Sequence, residues 1–287
     1  MIEGIKPSKL DEQLKKRILR ELRERSKFAS TATERAEIGD EFMAIGMLVD
    51  AIRQYRRAAK LEPDRCDYHT RLADAYAFGE QSARALAQYR KASRVDGSNP
   101  LPHFGIAEIY ERFGKVGAAI EEYERAVALS DEDPFLRFKL AKAYDARGKR
   151  DDAKRELEAA IALSPDNAYY QQSLAKVHMQ EGDFNAATVA YEKAALAARH
   201  DDFYAARLGL LYLRAGRLTE ALASILTAVI LAPERLMYHR LLAVTYDQAG
   251  DDDKSAQHVY LCEYLDDYDE AEARLLLRDF AGVERQG

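Results

Sequence analysis

Tryptophan is absent from this 287-residue chain, cysteine occurs twice, and no long uncharged apolar run occurs. Each absence excludes something. Cys66 and Cys262 are too few and too far apart to imply a disulfide framework. No stretch approaches the ~18 apolar residues that a membrane span needs. Met1 to Leu10 lack the apolar core of a secretion signal, so a reducing cytoplasm is the expected compartment. Catalytic signatures are missing too: there is no glycine-rich phosphate loop, no His-Glu-x-x-His and no Cys-x-x-Cys. We therefore expect no enzyme, no cofactor and no metal. A net charge of −6 argues against the whole chain binding nucleic acid. With 47% hydrophobic and 32% charged residues, the chain is too apolar for disorder and too charged for a membrane protein.

What the chain does have is a period. In residues 134 to 167, Leu140, Ala141 and Tyr144 share one face of a first amphipathic helix, and Ala153, Leu157 and Ala160 share one face of a second. Gly148 falls between them, where a helix end needs a residue that tolerates positive φ. Pro165 closes the unit. The same 34-residue unit starts at Ala32, Cys66, Pro100, Pro134, Ala168, Asp202 and Leu236. Position 7 reads Ile38, Leu72, Ile106, Leu140, Leu174, Leu208, Leu242, and position 8 is always Gly or Ala. Position 11 reads Phe42, Tyr76, Tyr110, Tyr144, His178, Tyr212, Tyr246. Position 20 is Ala in six units and Ser255 in the last; position 27 is Ala in six and Cys262 in the last. Small residues at 8, 20 and 27 let helix backbones approach, and large ones at 7, 11 and 24 fill the holes beside them.

This pattern resembles the tetratricopeptide repeat family over about five sixths of the chain. The resemblance implies an all-α, right-handed α-solenoid superhelix of antiparallel helix pairs. The expected parts are a basic amphipathic N-terminal helix in 1–31 and seven repeats at 32–65, 66–99, 100–133, 134–167, 168–201, 202–235 and 236–269. A capping helix and tail follow in 270–287, with the helix at Glu270 to Phe280. There are departures from the family pattern. Position 4, often Trp in the family, holds Arg35, His69, His103, Arg137, Gln171, Ala205 and His239, and the second unit is expected to turn at Gly79 instead of at position 15. Histidines that recur once per unit do not converge on a metal. His200 beside Asp201 and Asp202 reads as a turn, and Asp251, Asp252 and Asp253 read as a helix start.

Charge is unevenly spread. Residues 1 to 31 carry nine Lys and Arg against five Asp and Glu, whereas residues 247 to 272 carry ten acids against Lys254. Ser8 is the expected N-cap of the first helix. That helix has Leu10, Leu14, Ile18 and Leu22 on one stripe. Two readings stand for it: a cover for the open end of the first repeat, or a basic helix for a membrane surface or a partner's groove.

On a helical wheel, positions 2, 5, 9 and 12 of the first helix point away from the core face. In the family that second face lines a concave groove that binds peptide segments. Here position 2 supplies Leu101, Phe135, Tyr169 and Phe203, and position 5 adds Phe104 and Phe138. Lys142 and Lys176 at position 9, Lys139 and Arg207 at position 6, and Arg240 at position 5 lie beside this ladder. Two readings compete: the rings pack between neighbouring first helices, or they anchor apolar side chains of a partner carrying carboxylates. Position 9 lacks the asparagines of the carboxylate clamp with which some repeats hold heat-shock chaperone tails, so that mode is not expected. The expected function is a protein-binding scaffold or adaptor. The alternative is a platform that self-associates head to tail, basic N-terminus to acidic C-terminus. The sequence leaves the partner, pathway and oligomeric state unnamed.

Overall fold

The computed structural model describes residues 9–262. Those residues form fifteen α-helices and, among themselves, no strand. The first is α1 (Lys9–Phe28). Seven pairs follow: α2 (Ala32–Ala44) and α3 (Leu48–Leu61); α4 (Cys66–Phe78) and α5 (Ser82–Val95); α6 (Leu101–Arg112) and α7 (Val116–Leu129); α8 (Pro134–Ala146) and α9 (Arg150–Leu163); α10 (Ala168–Glu181) and α11 (Phe184–Ala197); α12 (Asp202–Arg214) and α13 (Leu218–Leu231); α14 (Leu236–Gln248) and α15 (Asp252–Cys262). The expected N-cap Ser8, the side chain of Leu10 and the expected capping helix at Glu270 to Phe280 lie outside the residues described.

The chain divides into two units, Met1–Lys149 and Arg150–Gly287, and the boundary falls between α8 and α9, within the fourth repeat. Each unit is an α-solenoid stack. In the first, α3 packs on α4, α5 on α6 and α7 on α8, so each second helix is shared with the next first helix. In the second, α9 packs on α10, α11 on α12 and α13 on α14.

The alanines at positions 8, 20 and 27 are the contact points. Ala51, Ala58, Ala73, Ala85, Ala107, Ala126, Ala175, Ala187 and Ala221 have no accessible surface. Where a large side chain presses still closer, the residue is glycine. A Cβ on Gly39 would meet the Tyr55 ring at 2.5 Å, and one on Gly209 would meet Ile225 at 2.5 Å. Periodicity left position 3 unused, yet Tyr68, Tyr170, Tyr204 and Tyr238 there are all buried. They wedge between successive repeats: the Tyr68 hydroxyl lies 3.1 Å from Thr33 Oγ1, and the Tyr238 hydroxyl donates to the Asp202 carboxylate.

The turns correct one expectation. Six repeats place a positive-φ glycine at position 15, and the second places Glu80 there with φ 57°. Gly79 instead has φ −83°. A Cβ there would approach Leu48 Cδ2, the tip of a flexible side chain, at 2.9 Å. At the N-terminal end, Leu22 of α1 is buried in the cluster with Ile38, Phe42 and Tyr55, and Ile18 and Leu19 pack against that cluster. Ile18, Leu19 and Leu22 thus cover the first helix pair, whereas Leu14 on the same stripe is exposed. Arg23, Arg25 and Lys27 of α1 pair with Asp50, Glu41 and Glu24.

Candidate functional site

In the first unit, the exposed face lies on α6 and α8. Asp133 caps α8 by accepting from the backbone N–H groups of Phe135 at 2.8 Å and Leu136 at 3.2 Å. That cap holds Phe135 at the outer edge of the first turn. Phe135 is 46% exposed, and Leu101 is 54% exposed. The Phe135 ring tilts against Phe104 with centroids 5.6 Å apart, and Phe104 lies 5.9 Å from Tyr123. The Lys139 ammonium sits 5.6 Å from the Phe104 centroid and 5.7 Å from that of Phe135. It also donates to Glu108 Oε1 at 2.9 Å. The packing reading of the ladder holds in part: Phe104 and Phe135 stack between neighbouring first helices, while Phe135 keeps nearly half its surface.

Phe138 differs from the expectation. It is 4% exposed and belongs to the core. Position 5 lies only about 60° round the helix from position 8, on the margin between the two faces, and an aromatic ring there folds inward. Lys142 is exposed, with its ammonium 5.8 Å from the Phe138 centroid.

The acids of position 9 are anchored to the scaffold, a feature that composition alone did not reveal. The Tyr55 hydroxyl donates to Asp40 Oδ1 at 2.7 Å, and that of Tyr89 to Asp74 Oδ1 at 2.6 Å. Burial first, together with these carboxylates, pushes both phenols well above their usual range. Arg71 bridges Asp40 and Asp67 as Lys139 bridges to Glu108, so position 6 of one repeat pairs with position 9 of the repeat before it.

In the second unit, the face lies on α10, α12 and α14. Asn167 caps α10 by accepting from the Tyr169 N–H at 3.1 Å, and Tyr169 is 50% exposed. Phe203 is half-buried, edge-on to Tyr204 at 5.5 Å, with the Arg207 guanidinium 5.2 Å from its centroid. Lys176 is exposed. The ladder stops there, because the next position 2 residue, Met237, is buried. Arg240 is exposed and reaches α15, where it opposes the burial that pushes the Cys262 thiol up. It belongs to the seam between α14 and α15.

His69 and His103 serve the fold. His69 Nδ1 lies 2.9 Å from Gln88 Oε1, and His103 Nδ1 lies 2.7 Å from Glu122 Oε2, each tying position 4 to position 23 of its own pair. Asp251 caps α15 and pairs with Lys254. Among the described residues, no group of three or more His, Cys, Asp or Glu side chains could hold a metal ion. No helix among them is long and apolar enough to cross a membrane. What the two faces offer is contact: half-exposed rings, and the ammonium groups of Lys142 and Lys176, which have no carboxylate partner among the described residues.

Family models described as tetratricopeptide repeat match residues 70–134 and 206–261, 112–177, and 168–201. No curated protein matches the chain in sequence. Solved structures share the fold. The pilF protein of Pseudomonas aeruginosa is 19% identical with a TM-score of 0.55, covering 73% of this chain and 97% of its own. MamA of Desulfovibrio magneticus RS-1 is 18% identical with a TM-score of 0.54, covering 61% and 98%. YrrB, titled a TPR protein with an unusual peptide-binding site, is 17% identical with a TM-score of 0.53, covering 64% and 95%. With its helix pairs, its 34-residue register and these matches, the chain belongs to the tetratricopeptide repeat family.

Proposed function

We propose that the chain is a non-enzymatic scaffold whose first helices hold a segment of a partner protein. The repeat scaffold is typical of protein–protein interaction, and YrrB, of the same fold, has a peptide-binding site. The observation that carries the reading is the half-exposure of Leu101 and Phe135 in the first unit and of Tyr169 in the second, large apolar side chains on first-helix faces where solvation alone would favour polar ones. Phe104 packs against Phe135, and in the second unit Arg207 lies over the half-buried Phe203. Lys142 and Lys176 lie on the same helices and are open to a carboxylate. The partner segment then carries bulky apolar side chains interspersed with Asp or Glu, and cytoplasmic residence follows as part of the proposal.

A peptide array probed with the full chain tests this. Bound peptides should be enriched in acidic and bulky apolar residues. Phe135→Ala should weaken them about tenfold or more, the effect of losing an anchor residue. Lys142→Glu with Lys176→Glu should abolish the acidic preference. Unchanged capture by the folded double variant rejects the electrostatic half of the reading, and unchanged capture by Phe135→Ala rejects the apolar half.

A further inference from the structure

A second, separate surface lies on the outer helices of the first two repeats. α3 carries Arg53, Arg56, Arg57 and Lys60 against one acid, Asp50; α5 carries Arg84, Arg90, Lys91 and Arg94 and no acid. That is eight cations against one anion, in a chain whose net charge is −6. All eight are exposed. They are also in register: Arg56, Arg57 and Lys60 occupy positions 25, 26 and 29, and Arg90, Lys91 and Arg94 occupy the same positions in the next repeat. The two helices share one cleft of about 260 Å³, lined by Arg53 and Arg56 from α3, Arg84 from α5 and Tyr76 from α4, which joins three of the cations across the seam.

Half of these side chains are engaged within the fold, Arg84 among them through its hydrogen bond to Gln81 Oε1 at 2.7 Å. Arg53 pairs with Asp50 at 2.6 Å. Arg56 donates to the Tyr76 hydroxyl at 2.8 Å and Arg90 to that of Tyr110 at 3.2 Å. Arg57, Lys60, Lys91 and Arg94 have no ion pair among the described residues. By contrast, α1 spends Arg23, Arg25 and Lys27 on internal pairs. At the corresponding outer positions, the second unit places Leu196, Leu226 and Ile230. A dense like-charged face whose two helices supply one acid, Asp50, against eight cations repels itself, and an anion from outside relieves it.

The chain carries such an anion. Residues 247 to 272 hold ten Asp and Glu against Lys254, and Asp247, Asp252 and Asp253 are exposed. We propose that the cationic face of α3 and α5 docks the acidic stretch 247–272 of a second copy of this chain. The face is mostly arginine, whose planar fork pairs two N–H groups with one carboxylate. The two patches differ, so each bound copy leaves one of each unoccupied and molecules add head to tail. This goes beyond the partner reading above and is independent of it, since it uses the second helices α3 and α5 and an acidic stretch that contains none of the ladder residues.

The test is size-exclusion chromatography with light scattering on the full chain, over a concentration series at low and high salt. Mass should rise with concentration at low salt and collapse to monomer at high salt. Arg57→Glu with Lys91→Glu should remain monomeric at low salt with unchanged circular dichroism, because neither side chain holds the fold together. Arg57→Lys with Lys91→Arg should assemble like the parent. Asp252→Lys with Asp253→Lys should weaken assembly from the other side. A monomer under every condition overturns the proposal, as does assembly indifferent to the charge reversals. Salt-sensitive binding of duplex DNA or anionic vesicles by a chain that stays monomeric, lost in Arg57→Glu with Lys91→Glu, assigns the face to another polyanion and overturns it equally.

Discussion

Single side chains decide how tightly the repeats close. Glu80 occupies the left-handed backbone that glycine takes in the other six repeats, a conformation costing a residue with a Cβ about 1–2 kcal/mol. Glycine loses part of that gain through chain entropy. Glu80→Gly should therefore raise stability by roughly 0.5–1 kcal/mol, read from a shift in the urea midpoint at constant slope. Gly105 shows the opposite case. A Cβ there would meet the Tyr89 ring at 2.2 Å, and that ring is held by its hydrogen bond to Asp74. Gly105→Ala should cost roughly 1–3 kcal/mol by overpacking in the same measurement. The glycines of position 15 were legible as turns from their spacing alone. That of Gly105 was not, because it answers to a ring from the preceding repeat.

At the scale of the helix, tyrosine hydroxyls staple successive repeats. Tyr144 donates to Glu124 and Tyr212 to Glu192, both at 2.6 Å, joining position 11 to position 25 of the repeat before it. Burial, then the Glu192 carboxylate, pushes the Tyr212 phenol up to about 12. A pKa raised in the folded state adds stability below the ordinary value of 10.0 that is lost as pH climbs toward the folded value. The thermal midpoint should thus fall between pH 10 and about 12. Tyr212→Phe should lower it at neutral pH by the loss of about 1 kcal/mol and flatten the alkaline decline. The helices themselves, their pairing and the alanine seams were all readable from a small-and-large pattern repeated at fixed spacing. The free face was readable only in part. Wheel geometry placed Leu101, Phe135 and Tyr169 on an exposed face, yet Phe138 sits on the margin of the wheel and folds inward, and Arg240 lies near Cys262 of α15. Long side chains choose among neighbours that only the packed structure supplies.

Within each unit, helix pairs touch their neighbours and little else, so damage should stay local. Gly105→Ala should speed amide exchange in α4 to α7 and leave the α10 to α14 amides at their parent rates, as hydrogen-exchange mass spectrometry can check. Uniform acceleration across both units would mean that they unfold as one. The outer surface, meanwhile, runs from arginine in the first repeats to leucine and isoleucine in the sixth without any change in the underlying helices. The hydroxyl at position 11 shows how. A phenol accepts as readily as it donates, so Tyr76 and Tyr110 receive a hydrogen from Arg56 and Arg90, while Tyr144 and Tyr212 give one to Glu124 and Glu192. The joint closes with either polarity, which leaves the sign of the exterior free to be rewritten, repeat by repeat, while the architecture beneath stays constant.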